Sequence, residues 1–234
     1  MTLPKPRGIL FDKDGTLLDY HATWMPANRA VARDLARGDD DLAARLLVAG
    51  GWDAAADRIL SGSALAAGDL DDIAQLWRPM LPEDQPVDQI VAYLDEAFPR
   101  YMEPTAVCAL AGLMDALSGL GLALGIATAD SKNGLRQSMA PFDVMDRFVF
   151  AVGFDSGHGR KPEAGMVHGF CAAADISPAE VWVVGDNRHD MEMASNAGAA
   201  GVGVLTGTSD RAELTAAGAA VVLESISDLP RLIA

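Results

Sequence analysis

The stretch Ile9-Leu10-Phe11-Asp12-Lys13-Asp14-Gly15-Thr16-Leu17 constrains this chain more than any other. An apolar run is cut off by two aspartates one residue apart, then by glycine and threonine. Such a run, bounded by charge and glycine, reads as a buried strand. In an open parallel sheet ligands gather outside the carboxyl ends of the strands, so Asp12 and Asp14 would stand together at the ligand edge. Two carboxylates there repel each other unless a cation or a proton intervenes. A divalent metal is the simplest resolution, and oxygen ligands favour a hard ion such as magnesium. Gly15 lets the backbone turn sharply, and Thr16 is expected to bond back to the backbone and fix that turn.

After Leu18 the pattern changes. From about His21 to Met102 the segments Trp24–Ala36, Asp41–Val48, Leu70–Met80 and Val87–Tyr101 carry apolar residues at helical spacing. Asp39, Asp69 and Asp88 lie near helix starts, and Gly50-Gly51, Gly62, Gly68 and the Pro79 to Pro86 region interrupt the helices. No strand is expected in this part. From Val107 apolar runs alternate with helical segments. Helices are expected at Leu110–Leu120, Asn133–Met139, Pro162–Ala174 and Met191–Ala197, and strands at Gly121–Ala129, Phe148–Val152, Val181–Val184, Gly201–Leu205 and Ala220–Leu223. Alternation of this kind implies an α/β fold with a doubly wound, Rossmann-like parallel sheet. The first strand, Gly8–Phe11, must join that sheet across the helical stretch. The core is therefore discontinuous, residues 1–19 and 105–234, with a smaller all-α cap domain inserted at residues 20–104. The crossings Asp19–Ala22 and Glu103–Thr105 are natural hinges.

Four strand ends then carry polar groups. Asp12 and Asp14 end the first. Thr128, followed by Ala129-Asp130-Ser131, ends the second. Lys161 follows the third, within Gly159-Arg160-Lys161-Pro162. Asp186 and Asp190 follow the fourth, within Gly185-Asp186-Asn187-Arg188-His189-Asp190. Singly these residues could cap strands and helices or sit on the surface.

In order and type, the four motifs resemble those of the haloacid dehalogenase superfamily, and the resemblance spans the whole core. It implies a role for each residue. Asp12 is similar to the family's nucleophile, forming an acyl phosphate and splitting hydrolysis into two easier steps. Asp14 is similar to the general acid and base, and its backbone carbonyl would also face magnesium. Asp186 looks like a direct metal ligand, and Asp190 like a ligand or an anchor behind one. Thr128, with the backbone around Gly15, Thr16 and Ala129, would hold phosphoryl oxygens. Lys161 would neutralise charge on the phosphate and on Asp12. Dehalogenases of the superfamily lack the second aspartate, because a halide leaves without a proton. Asp14 therefore favours phosphoryl transfer. The lysines are Lys5, Lys13, Lys132 and Lys161, so the insertion cannot form the Schiff base that phosphonate-cleaving relatives need. Sugar-phosphate mutases use cap cations, for which Arg29, Arg33, Arg45 and Arg58 are candidates, although at helical spacing they read as solvated.

Two residues depart from the family pattern. Lys13 stands where relatives are often apolar. It reads either as a surface lysine or as a cap-facing group for a substrate's distal carboxylate. Asp130 adds negative charge near the phosphate site, unless it faces away to cap the following helix. His21 and Trp24, where the chain enters the cap, are candidates to line the cleft. His189 reads as a solvated loop residue.

Composition narrows the setting. Lysine and arginine number 18 against 33 aspartates and glutamates, a net charge of -15. That argues against nucleic-acid and anionic-membrane surfaces. No stretch is long and apolar enough to span a bilayer, and Met1 to Arg7 lacks an apolar signal region. Cys108 and Cys171 read as buried structural residues in a reducing cytoplasm. Between Thr128 and Lys161 there is no room for a second cap. The reading is a magnesium-dependent phosphatase for a small-molecule phosphate monoester, working as a monomer or homodimer, and nearest in cap type to the phosphoglycolate phosphatases. The alternatives are a phosphomutase of the β-phosphoglucomutase type and a non-catalytic binding protein of the same fold.

Overall fold

Gly8–Phe11 forms β1, and all four of its residues are buried. The structure, a computed structural model, describes residues 3–233. Residues 1, 2 and 234, which belong to the expected core and the expected non-apolar N-terminus, lie outside the described residues. The chain divides into two compact units, one of Met1–Tyr20 with Thr105–Ala234, the other His21–Pro104.

The larger unit holds β1, β4 (Ala123–Ala127), β5 (Phe150–Val152), β6 (Val181–Gly185), β7 (Ala200–Val204) and β8 (Val221–Leu223), while β2 (Trp52–Asp53) and β3 (Arg58–Ile59) belong to the other unit. Its helices of eight or more residues are α6 (Leu110–Gly119), α7 (Lys132–Met139), α8 (Gly165–Ala174) and α9 (Arg188–Ala197); α10 (Arg211–Ala216) and α11 (Leu229–Ile233) are shorter. The strands make one six-stranded sheet of order β5-β4-β1-β6-β7-β8. Its neighbours are all parallel, with Gly8 opposite Ala123 on one side and Val181 on the other. The side-chain period of two divides the core. Ile9 and Phe11 face a layer containing Leu110, Met114 and Leu117 of α6, while Leu10 faces one containing Met166, Val167 and Phe170 of α8. This is the doubly wound sheet the sequence predicts. The chain runs from β1 outward to β5, then returns to β6 on the other side of β1. The order therefore reverses at β1, and the crevice outside the carboxyl ends of β4, β1 and β6 is a topological switch point.

The smaller unit contains α1 (Tyr20–Leu35), which begins in the boundary residue, then α2 (Asp40–Ala49), α3 (Ala64–Ala67), α4 (Leu70–Trp77) and α5 (Val87–Tyr101). Asp39 and Asp69 cap α2 and α4 by accepting from the N–H groups of Leu42 and Asp72. Leu46, Ile73, Trp77, Ile90 and Leu94 are buried, and the Trp77 indole donates to the Leu46 carbonyl at 2.8 Å. The sequence predicts an all-α unit without strands, and the structure departs from that. Trp52–Asp53 (β2) and Arg58–Ile59 (β3) pair antiparallel. Two residues per strand show no period, and the turn is made by Asp53, whose carboxylate accepts from the N–H groups of Ala55 and Ala56.

Where the chain leaves and re-enters the larger unit, the Asp19 N–H donates to the Thr105 carbonyl at 2.8 Å. The helix expected from Pro162 begins only at Gly165, because a tight turn closed by the Glu163 N–H on the Arg160 carbonyl comes first. Both cysteines are free; Cys171 is buried as expected, but Cys108 is partly exposed.

Candidate active site

The Asp12 N–H donates to the Val184 carbonyl at 2.8 Å, so pairing with β6 continues one residue beyond β1 and carries Asp12 to the sheet edge. The same device places Thr128, whose N–H donates to the Val152 carbonyl at 3.1 Å. Both side chains are buried. Lys161, from the loop before α8, reaches the same point. Its ammonium lies 2.5 Å from Asp12 Oδ1 and 2.6 Å from Asp190 Oδ1. The other oxygen of Asp190 accepts the Asn187 N–H as half of the capping box of α9. Asp190 is thus fixed both to the helix start and to Lys161. Asp186 Oδ2 accepts the Thr208 N–H at 2.9 Å.

One carboxylate oxygen each from Asp12, Asp186 and Asp190 lies within 4.8 Å of the others, and all three residues are buried. Three buried carboxylates face a single ammonium. Burial pushes Asp12 well above the usual carboxylate range, against the pull of Lys161. Burial, with Asp190 adding to it, lifts Asp186 to about 7. Burial disfavours the charge of Lys161, yet Asp12 and Asp190 outweigh it and raise the ammonium above its ordinary value. The cluster is short of positive charge, and its donors are hard oxygens. That donor set fits a divalent cation such as magnesium.

The turn after β1 is held by backbone. The Gly15 N–H donates to Leu18 O, and the N–H groups of Thr16, Leu17 and Leu18 converge on the Lys13 carbonyl. Gly15 has φ +82°, and a Cβ there would press on the Asp186 carboxylate. The structure corrects one expectation here. The Thr16 hydroxyl is buried with no hydrogen-bond partner, and the hydroxyl that ties this turn is Thr206, donating to the Gly15 carbonyl at 2.7 Å.

A family model described as a haloacid dehalogenase-like hydrolase matches residues 6–198. The chain belongs to this family. A phosphoglycolate phosphatase of Escherichia coli strain K12 is 27% identical over 242 residues, covering 95% of this chain and 90% of the relative. Two crystal structures share the fold. One is from Lactobacillus delbrueckii and described as a phosphoglycolate phosphatase, with TM-score 0.74 and 17% identity over 98% of this chain and 99% of that one. The other is from Thermotoga maritima and described as a β-phosphoglucomutase, with TM-score 0.70 and 18% identity over 97% and 98%.

The dehalogenase-like core thus brings together Asp12, Lys161, Asp186 and Asp190, with Thr128 on the adjoining strand end. It does not bring the Asp14 carboxylate into the three-carboxylate cluster. Both Asp14 oxygens lie on the Lys13 ammonium, at 2.8 and 2.6 Å. Lys13 is fully buried, which excludes the surface reading, and its charge is also held by Asp130 Oδ2 at 3.1 Å. Burial lowers the Lys13 pKa, but Asp14 and Asp130 together carry it above the ordinary value. Asp130 does not cap α7. Ser131 does, accepting from the Gly134 N–H at 3.0 Å. Asp130 instead donates its own N–H to Thr128 Oγ1 at 3.1 Å, which leaves the threonine proton to point elsewhere. In the helical unit, His21 Nε2 accepts the Ile59 N–H at 3.1 Å, and Trp24 packs edge-on against Phe98.

Sequence reasoning missed the loop Thr206-Gly207-Thr208. A Cβ on Gly207 would collide with the Asp186 carboxylate, so a glycine is needed for Thr208 to reach Asp186. The available signal was a polar triplet directly after a buried strand, the same feature that marks the other four strand ends.

Proposed function

We propose that the protein is a magnesium-dependent phosphatase that hydrolyses a small phosphate monoester, with 2-phosphoglycolate the leading candidate, through an aspartyl-phosphate on Asp12. The observation that carries this reading is the buried set Asp12, Asp186 and Asp190 around Lys161 at the switch point of the sheet. Asp12, Asp186, Asp190 and the Asp14 carbonyl would hold the ion. Magnesium, when bound, offsets the repulsion between an anionic nucleophile and an anionic ester.

The protein's own groups account for the rest. Lys161 holds one oxygen of Asp12 and turns the carboxylate toward phosphorus. Asp12 attacks, the ester P–O bond breaks, and Asp14 gives its proton to the departing alkoxide. Asp14 then takes a proton from water. That water attacks the acyl phosphate, the P–O bond to Asp12 breaks, and inorganic phosphate leaves with Asp12 restored. Thr128 and the backbone near Ala129, Gly15 and Thr16 hold the phosphoryl oxygens. Such fixed donors typically contribute about 3 to 4 kcal/mol each. The helical insertion supplies discrimination among natural esters, with His21 and Trp24 among its candidates. The phosphoglycolate phosphatases among the relatives support that substrate class, and the two free cysteines fit a reducing, cytoplasmic setting. A mutase needs cations in the insertion for a second phosphate, and there Arg29 and Arg33 are exposed and paired with Asp57 and Asp40.

The test is hydrolysis of 2-phosphoglycolate and a panel of small esters, with magnesium and after chelation, together with acid trapping of labelled enzyme. We expect hydrolysis only with magnesium, a trapped phosphoenzyme in the native protein, and neither in Asp12→Asn. Calcium should inhibit, since its longer bonds and higher coordination number disturb the in-line geometry. Full turnover after chelation, or label retained in Asp12→Asn, would refute the reading.

A further inference from the structure

Lys13 and Asp130 meet beside the Asp14 carboxylate. The Lys13 ammonium lies 2.8 and 2.6 Å from the two oxygens of Asp14 and 3.1 Å from Asp130 Oδ2. Asp130 is itself fixed. Its Oδ1 accepts the Ser131 N–H at 2.6 Å, and its N–H donates to Thr128 Oγ1. Gly134 leaves the room, for a Cβ there would collide with the Asp130 carboxylate. A continuous path therefore runs from Thr128 through Asp130 and Lys13 to Asp14. Lysine is a costly choice for a buried position. Its long stem must be ordered and its charge desolvated, and only close partners offset that. The side chains differ in exposure, Lys13 at 0% and Asp14 at 22%. The ammonium thus grips Asp14 from its buried side. Contact with both oxygens of one carboxylate restrains its rotation, where an aspartate just before a glycine turn would otherwise swing.

We propose that Lys13, braced by Asp130, is the positioning residue of the general acid, fixing the Asp14 carboxyl relative to Thr128. This rests on the role given to Asp14 above. Where the acid is misplaced, the penalty falls on esters whose leaving group needs a proton and largely spares those that leave as stable anions. A merely structural pair predicts equal losses on both.

The experiment uses the full chain with magnesium. It compares kcat/KM for nitrophenyl phosphate and for an alkyl phosphate in Asp14→Asn, in the double variant Lys13→Met with Asp130→Asn, and in Asp130→Asn alone. The double variant removes one charge of each sign and so preserves the net charge of the cluster. We expect its loss on the alkyl ester to exceed its loss on the aryl ester by roughly tenfold or more, in the same sense as Asp14→Asn. Asp130→Asn keeps the Lys13 grip on Asp14 and should show a smaller loss of the same sense; it carries the test if the double variant does not fold. Equal losses on both esters in these variants, with Asp14→Asn selective, overturn the positioning role. Equal losses in Asp14→Asn itself overturn the general-acid reading, and the inference with it.

Discussion

The hydroxyl of Thr206 donates to the carbonyl of Gly15 at 2.7 Å, joining the loop after β7 to the turn that carries Asp12 and Asp14. Two residues on, the Thr208 N–H holds Asp186. One loop thus steadies both the turn after Asp12 and the Asp186 carboxylate.

Gly207 lies between those two contacts, and the first prediction follows from its lack of a side chain. Gly207→Ala should push the Asp186 carboxylate from its place and weaken magnesium binding by about 10- to 100-fold, the usual effect of disturbing the groups that orient a ligand. Thr206→Val, which removes one hydrogen bond, should cost only about 1 kcal/mol of stability. The magnesium concentration for half-maximal hydrolysis checks the first, and urea unfolding the second. Unchanged magnesium affinity in Gly207→Ala would mean that Asp186 does not need this cradle.

Lys161 is the only cation seen on Asp12 and Asp190 among the described residues, with 3% of its side chain exposed. Lys161→Met strands two buried carboxylates, and breaking a buried pair costs about 3–5 kcal/mol. Urea unfolding in chelator should report a loss of that size, and magnesium should recover part of it by supplying the missing charge. A stability equal to that of the native chain in chelator would show that the carboxylates simply take up protons at no cost.

The raised pKa of Asp186 gives a dependence on pH with a definite sign. In the metal-free protein the folded state keeps a proton up to about 7, whereas an unperturbed aspartate gives it up near 3.8. Between these values the unfolded chain binds fewer protons, so stability falls as pH rises through the window and levels off above about 7. Burial of Asp12 works in the same direction. Magnesium competes with these protons and should raise the melting temperature more at pH 8 than at pH 5.5. Asp186→Asn should lose most of the difference. Melting curves in chelator and in magnesium at both pH values provide the check; an equal magnesium effect at the two would contradict the coupling.

The parts that could be read in the sequence share one physical signature. Gly8–Phe11 and Val181–Gly185 are apolar throughout because both faces of the sheet are covered, and each run stops at an aspartate. A buried strand followed at once by charge is visible without any knowledge of partners. What could not be read depends on pairing over distance. Lys13 looks like a surface residue until Asp130 is brought beside it, and neither position hints at the other. Thr16 was the nearby hydroxyl and Thr206 the one that bonds the turn, which local reasoning has no means to prefer. The hairpin of Trp52–Asp53 and Arg58–Ile59 is too short to show a period.

The placement of β1 also sets the timing of synthesis. Gly8 pairs with Ala123 on one side and Val181 on the other, so the strand that leads into Asp12 leaves the ribosome long before either neighbour. Until β6 emerges, Asp12 has neither Asp186 nor Asp190 beside it, and the apolar run behind it has no sheet to enter. A nascent or truncated chain therefore carries Asp12 as an ordinary carboxylate. The cluster of Asp12, Asp186 and Asp190 therefore assembles only once the start of α9 has been made.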